Sequence, residues 1–68
     1  MINKKLLKSK MVLKEATQLN LSRLLDLSIT SINQKMNGNV IFKPKEIKKI
    51  KDYLNLTNDE VVEIFINE

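Results

Sequence analysis

Residues 17–38, TQLNLSRLLDLSITSINQKMNG, read as two short helices joined by a tight turn, with the rest of the chain arranged to support them. Thr17 suits the first N-cap, because its hydroxyl can accept from one of the unpaired N–H groups of the opening turn. Leu21 and Leu25 follow four residues apart and therefore lie one above the other on the inward face. Ser22, between them, is small enough to let a second helix cross closely. Asp26 takes a turn position that commonly needs a positive φ, which Asp tolerates at some cost. Leu27 then reads as a buried plug and Ser28 as a second N-cap. The helix that follows buries Ile32 and Met36 and stops at Asn37-Gly38, a usual C-terminal ending.

Outside this second helix remain Ile29, Thr30, Ser31, Asn33, Gln34 and Lys35, a short-chained, amide-rich face with one positive charge. Asn and Gln side chains present a donor and an acceptor together, so they can pair with the edge of a base. A helix with no such task more typically carries Glu and Lys pairs. The plain alternative is a polar, solvated surface.

These residues resemble the helix-turn-helix domains of the Cro and lambda-type repressor superfamily, also called the xenobiotic-response-element family. Every spacing fits without a gap, from Thr17-Gln18 through Leu21, Leu25, Leu27-Ser28 and Ile32 to Asn37-Gly38. The likeness extends more loosely over nearly the whole chain and suggests a phage or mobile-element regulator. It implies an all-α fold, a compact five-helix lambda-repressor-like domain with a central helix-turn-helix. By the same resemblance Gln18 and Asn37 hold phosphates. Ile29, Thr30 and Gln34 occupy base-facing positions, with Ser31 and Asn33 beside them. The sequence departs from the pattern at Asp26, where Gly is usual, at Ser22, where Ala is usual, and at Ile29, where a polar residue is common. An apolar residue there can touch a thymine methyl but cannot hydrogen-bond a base.

A chain of 68 residues makes one domain, spanning residues 1–68, with a thin core. At 43% hydrophobic and 29% charged, with one Pro and one Gly, it is globular rather than disordered. Without Cys there is no disulfide, zinc-thiolate site or thiol nucleophile, and without His no ready general base. The scattered carboxylates assemble no catalytic or metal-binding constellation, and a single Gly allows no phosphate-cradling loop. The expectation is therefore a protein that is not an enzyme and takes no cofactor, metal or small-molecule substrate. No apolar run approaches a membrane span, so a cytoplasmic location with no membrane partner is expected.

Charge is divided along the chain. Residues 1–51 hold all 12 basic groups with only Glu15, Asp26 and Glu46, a net +9. Residues 52–68 hold Asp52, Asp59, Glu60, Glu63 and Glu68 with no base, a net −5. One end of the molecule suits a polyanion and the other does not.

The remaining segments read as supports. Residues 3–14 form a first helix with Leu6 or Leu7, Met11 and Val12 or Leu13 as its apolar stripe. Leu24 belongs to the core, while Leu19 is open to either core or partner. Asn39-Val40-Ile41 is a loop that the pattern does not orient. Pro44 opens a fourth helix to about Leu54, with Ile47, Ile50, Tyr53 and Leu54 inward and Phe42 stapled to Ile47. Lys43 and Lys45 sit at its positive N-terminal end, suited to a phosphate. With Gln18, Lys35, Asn37 and Asn39 they make the expected phosphate-contacting set. Thr57-x-x-Glu60 is a capping box for a fifth helix over about 58–66. That helix carries more apolar groups than one face needs, which marks Val62, Phe65 and Ile66 as candidate homodimer contacts.

The expected function is a sequence-specific double-stranded DNA-binding transcriptional regulator, Cro-like and repressing, that reads the major groove with helix 28–37. It would act as a homodimer on a near-palindromic operator. The alternative is a protein-binding helix-turn-helix module of antitoxin or antirepressor type. RNA recognition is weaker, because Phe42, Tyr53 and Phe65, the only aromatics, fall at positions that read as buried.

Overall fold

The computed structural model describes residues 2–66 and is all-α. Helices α1 (Lys4–Leu13), α2 (Gln18–Leu25), α3 (Ile29–Met36), α4 (Pro44–Leu54) and α5 (Asn58–Val61) follow in order. The last runs on without a break into a π-helical turn, Val62–Ile66, in place of the single α-helix expected to 66.

Each start has a side-chain reason. Asn3, Thr17, Ser28 and Thr57 accept from the backbone N–H groups of Leu6, Asn20, Ser31 and Glu60, occupying donors that a helix leaves free at its first turn. Thr57 and Glu60 close the expected box, the Glu60 carboxylate accepting from Thr57 N–H at 2.8 Å. Pro44 stands at the first position of α4, where its missing donor costs nothing.

The ends share one device. After each of α1 to α4, one N–H reaches back to a carbonyl five residues earlier, from Ala16 to Met11, Leu27 to Ser22, Asn39 to Gln34 and Leu56 to Lys51. This is the Schellman closure, which places the intervening residue in the left-handed region. Those residues are Glu15, Asp26, Gly38 and Asn55, with φ of 53°, 55°, 85° and 56°. Asp26 adopts the positive φ expected of it. In three of the four, the next residue is apolar and turns inward: Ala16 and Leu56 are buried, and Leu27 is half-buried against the core rather than fully enclosed.

The core is Leu7, Met11, Ala16, Leu21, Leu25, Ile32, Met36, Phe42, Ile50, Leu54, Leu56 and Ile64. Leu24, Ile47 and Phe65 pack against it in part. Ser22 is buried, its hydroxyl donating to the Leu19 carbonyl at 2.7 Å. Two inward assignments fail. Val12 and Leu13 are 75% and 72% exposed, because Leu7 and Met11, one turn apart, already fill the buried stripe of α1. Tyr53 is 43% exposed, because Ile50 and Leu54 take the inward face of α4 and leave the phenol at its margin. Helices α3 and α4 each pack chiefly on α2, so α2 is the strut that holds the other two in place.

Candidate nucleic-acid interface

Helix α3 turns Ile32 and Met36 fully inward, and its opposite side stays uncovered. At about 100° per residue, Gln34 falls directly opposite that buried pair, with Thr30 and Asn37 about 40° and 60° to one side of it. Asn33 lies to one side of this ridge, and all four are exposed. Ile29, 49% exposed, sits on the flank, and Ser31 is half-buried. Ser31 is also engaged locally, its Oγ accepting from the Ser28 hydroxyl at 3.1 Å within the N-cap. The outward surface is therefore narrower than the sequence implied. It comprises one hydroxyl and three amides, with a β-branched side chain at the edge.

Lys35 does not belong to it. The sequence reading put this lysine on the exposed face as a phosphate contact, whereas the structure leaves it 7% exposed. Its ammonium donates to Glu46 Oε1 on α4 at 2.6 Å and lies 5.8 Å from the centre of the Phe42 ring. The cause is what lies on that flank: Lys35 and Asn33 stand equally far to either side of the Ile32/Met36 stripe, but only the Lys35 side faces Glu46 and the Phe42 ring. Glu46 Oε1 also accepts from Lys43 N–H at 2.8 Å. Burial pushes the Glu46 carboxyl up, but the hydrogen bonds from Lys35 and Lys43, with both ammonium charges, outweigh it and hold the group below its ordinary value.

The other expected phosphate contacts remain accessible. Gln18 begins α2 and is half-buried, while Asn37, Asn39, Lys43 and Lys45 are exposed. Asn37 is held from two sides: its Nδ2 donates to Asn33 Oδ1 at 3.3 Å, and its Oδ1 accepts from the Lys4 ammonium. Lys4 thus brings a cation to the C-terminal end of α3, where the helix dipole favours one. Nothing in the sequence pattern tied Lys4 to this end. Lys43 and Lys45 line an open recess of about 540 Å³ beside Leu25, Pro44 and Glu46. Lys49, one turn further along α4, lines it as well and was not singled out from the sequence.

At the far end of the chain, Val62 and Ile66 are exposed, whereas Phe65 leans inward onto Phe42. Of the three candidate dimer contacts, two are thus free and the third is shared with the core. Glu60 is paired to the Lys10 ammonium across α1 and α5. That hydrogen bond, with the one from Thr57, lowers its pKa. Among the described residues no helix is long and apolar enough to cross a membrane.

Residues 3–68 match a family model described as "Protein of unknown function (DUF739)". No curated protein and no solved structure gives a significant match.

Proposed function

We propose that this chain, which belongs to the DUF739 family, is a sequence-specific double-stranded DNA-binding regulator that reads the major groove with α3. The observation that carries the reading is the uncharged ridge of Thr30, Asn33, Gln34 and Asn37, left open on a helix whose other side is fully buried. A rigid helix with amide groups outward meets the donor and acceptor pattern of base edges. Lys43, Lys45 and Lys49, gathered around one recess at the start of α4, would supply the sequence-independent attraction to phosphates.

In this reading two copies bind a near-palindrome with their α3 helices about 34 Å apart, one turn of the duplex. The domain measures 27 × 24 × 21 Å, so two copies fit side by side at that spacing. Val62 and Ile66 supply apolar surface for their contact. Occupying a promoter, the dimer would exclude polymerase and repress; the resemblance to Cro-type proteins supports that step. A location in the cytoplasm, where such DNA is met, belongs to the same proposal.

The test is selection of bound duplexes from a random pool. Recovery of a motif with two-fold symmetry supports the reading, and recovery of no motif overturns it. A second reading, a protein-binding module, draws on the exposed Leu19, Val40, Ile41 and Ile66. Duplex affinity that hardly changes with salt would favour it, since phosphate contacts make DNA binding steeply salt-dependent.

A further inference from the structure

The geometry points to Glu46 and Lys35 as a positioning pair: a carboxylate and an ammonium, neither on the base-facing ridge, that fix the reading helix relative to the phosphate-facing lysines. This rests on the DNA-binding reading above and adds to it a specificity-determining role for residues with no base to touch.

Helices α3 and α4 pack chiefly on α2 rather than on one another. The Lys35–Glu46 bridge is therefore a direct tie between two elements otherwise related through a third. Both of its groups are largely withdrawn from water, with side-chain exposures of 8% and 12%. A pair so placed is geometrically demanding, because either charge left alone in that setting is costly. The ammonium is further confined by the Phe42 ring beneath it.

The accepting atom matters most. A single oxygen, Glu46 Oε1, receives Lys35 Nζ at 2.6 Å and the backbone N–H of Lys43 at 2.8 Å. Lys43 caps α4 and lines the recess with Lys45 and Lys49. Lys35 follows Gln34 directly on α3, so holding its side chain to Glu46 also holds the backbone that carries the ridge. One oxygen thus adds a direct constraint, beyond the shared packing on α2, between the lysines that would grip the backbone and the amide that would read a base. Direct readout needs their separation held closely, since a site looser by about 1 Å loses its contacts.

The same oxygen also identifies the informative substitutions. Glu46→Gln keeps an acceptor for Lys43 N–H but removes the charge that holds Lys35. Lys35→Met removes the tie from the other side, and Lys35→Arg keeps a cation facing Glu46. The double variant Lys35→Met/Glu46→Gln leaves no buried charge unpaired, so it folds even where a single variant does not.

The experiment measures, for each full-length variant, affinity for the duplex selected by the wild type and for a scrambled duplex of equal length. Thermal unfolding is followed in parallel. In Glu46→Gln and in the double variant the ratio of the two affinities falls by about tenfold, the discrimination of one good base contact. Affinity for the scrambled duplex holds, or rises in Glu46→Gln, which gains a unit of positive charge. Lys35→Arg keeps the wild-type ratio. A purely structural role would instead lower both affinities together, in step with the melting temperature. If the folded double variant keeps the wild-type ratio, the positioning role is overturned while the DNA reading stands. If the wild type itself selects no duplex, both are overturned.

Discussion

The ring of Phe65 meets the ring of Phe42 edge-on, with centroids 5.4 Å apart and planes at 82°. This contact ties the last described turn of the chain to the loop entering α4, and so to the ring that faces Lys35. Phe65→Ala removes the aromatic pair and most of the apolar area at that seam. A full Phe deletion in a core costs about 3–5 kcal/mol, and Phe65 is only partly buried, so about 2 kcal/mol is expected. Against a total near 5 kcal/mol for a domain this small, the melting temperature should fall by 10 °C or more, roughly. A loss below about 0.5 kcal/mol in urea unfolding would show that the C-terminal turn is not held there.

Gln34 and Lys43 should fail in different ways. Gln34→Ala is expected to change which bases are preferred in duplex selection, with little effect on binding to random DNA. Lys43→Ala should weaken all duplexes about equally and reduce the salt slope by about one. Lys35→Ala should leave that slope close to the wild-type value, because its charge is already engaged by Glu46. Equal effects of Lys43→Ala and Lys35→Ala on the slope would contradict the burial of Lys35.

Glu15 holds a left-handed backbone, φ 53°, at the close of α1, where a side chain is a liability. Glu15→Gly relieves that strain at some cost in unfolded-chain entropy, and a net gain of about 0.5–1 kcal/mol is expected. Glu15→Val at the same site should destabilise, since branching at Cβ aggravates the clash. Urea titrations of the two variants should bracket the wild type.

Acid should loosen the α3–α4 tie. The Glu46 carboxyl titrates below its ordinary value of 4.5, so the unfolded chain takes up the proton first. Its contribution to stability is whole above that value and is lost as the pH falls through the lower folded one. Glu60, held down by Lys10 and the Thr57 N–H, titrates in the same direction. Stability followed from pH 6 downward should therefore fall, and the fall should be shallower in Lys35→Met/Glu46→Gln. Identical acid profiles for that variant and the wild type would remove Glu46 from the account.

Ile66, 62% exposed, can be changed with little cost to the folded monomer. Ile66→Glu is expected to alter stability by no more than about 0.5 kcal/mol. It should weaken self-association at least about tenfold in sedimentation, on or off DNA, because a charge would enter the apolar contact. Unchanged association would move the contact elsewhere on the surface.

Much of this architecture was legible because local signals agreed. Thr17, Ser28 and Thr57 start helices, Pro44 opens α4, and the Leu21, Leu25, Ile32 and Met36 spacings mark the two buried stripes. What misled was the long side chain. Lys35 reads as surface by type, yet its side of α3 faces Glu46, distant in sequence, which makes its burial tolerable. No local rule distinguishes it from Asn33, equally far from the Ile32/Met36 stripe on the other side and exposed. Val12, Leu13 and Tyr53 read as core by apolar type, yet Met11 and Leu54 already fill the space and leave them exposed. Lys4 was invisible as a neighbour of Asn37, because that contact joins segments far apart in the chain.

The repeated backward hydrogen bond after α1, α2, α3 and α4 has a kinetic consequence. Each helix hands the chain to the next through a hinge whose geometry is decided by its own last turn, so the conformational search reduces to a few nearly preset angles. Contacts made between neighbours in sequence form quickly, and folding in microseconds to milliseconds is the expectation for such a topology. The slowest step should be docking of the opposite ends, where Asn3 N–H meets the Ile64 carbonyl at 2.7 Å and Lys10 finds Glu60.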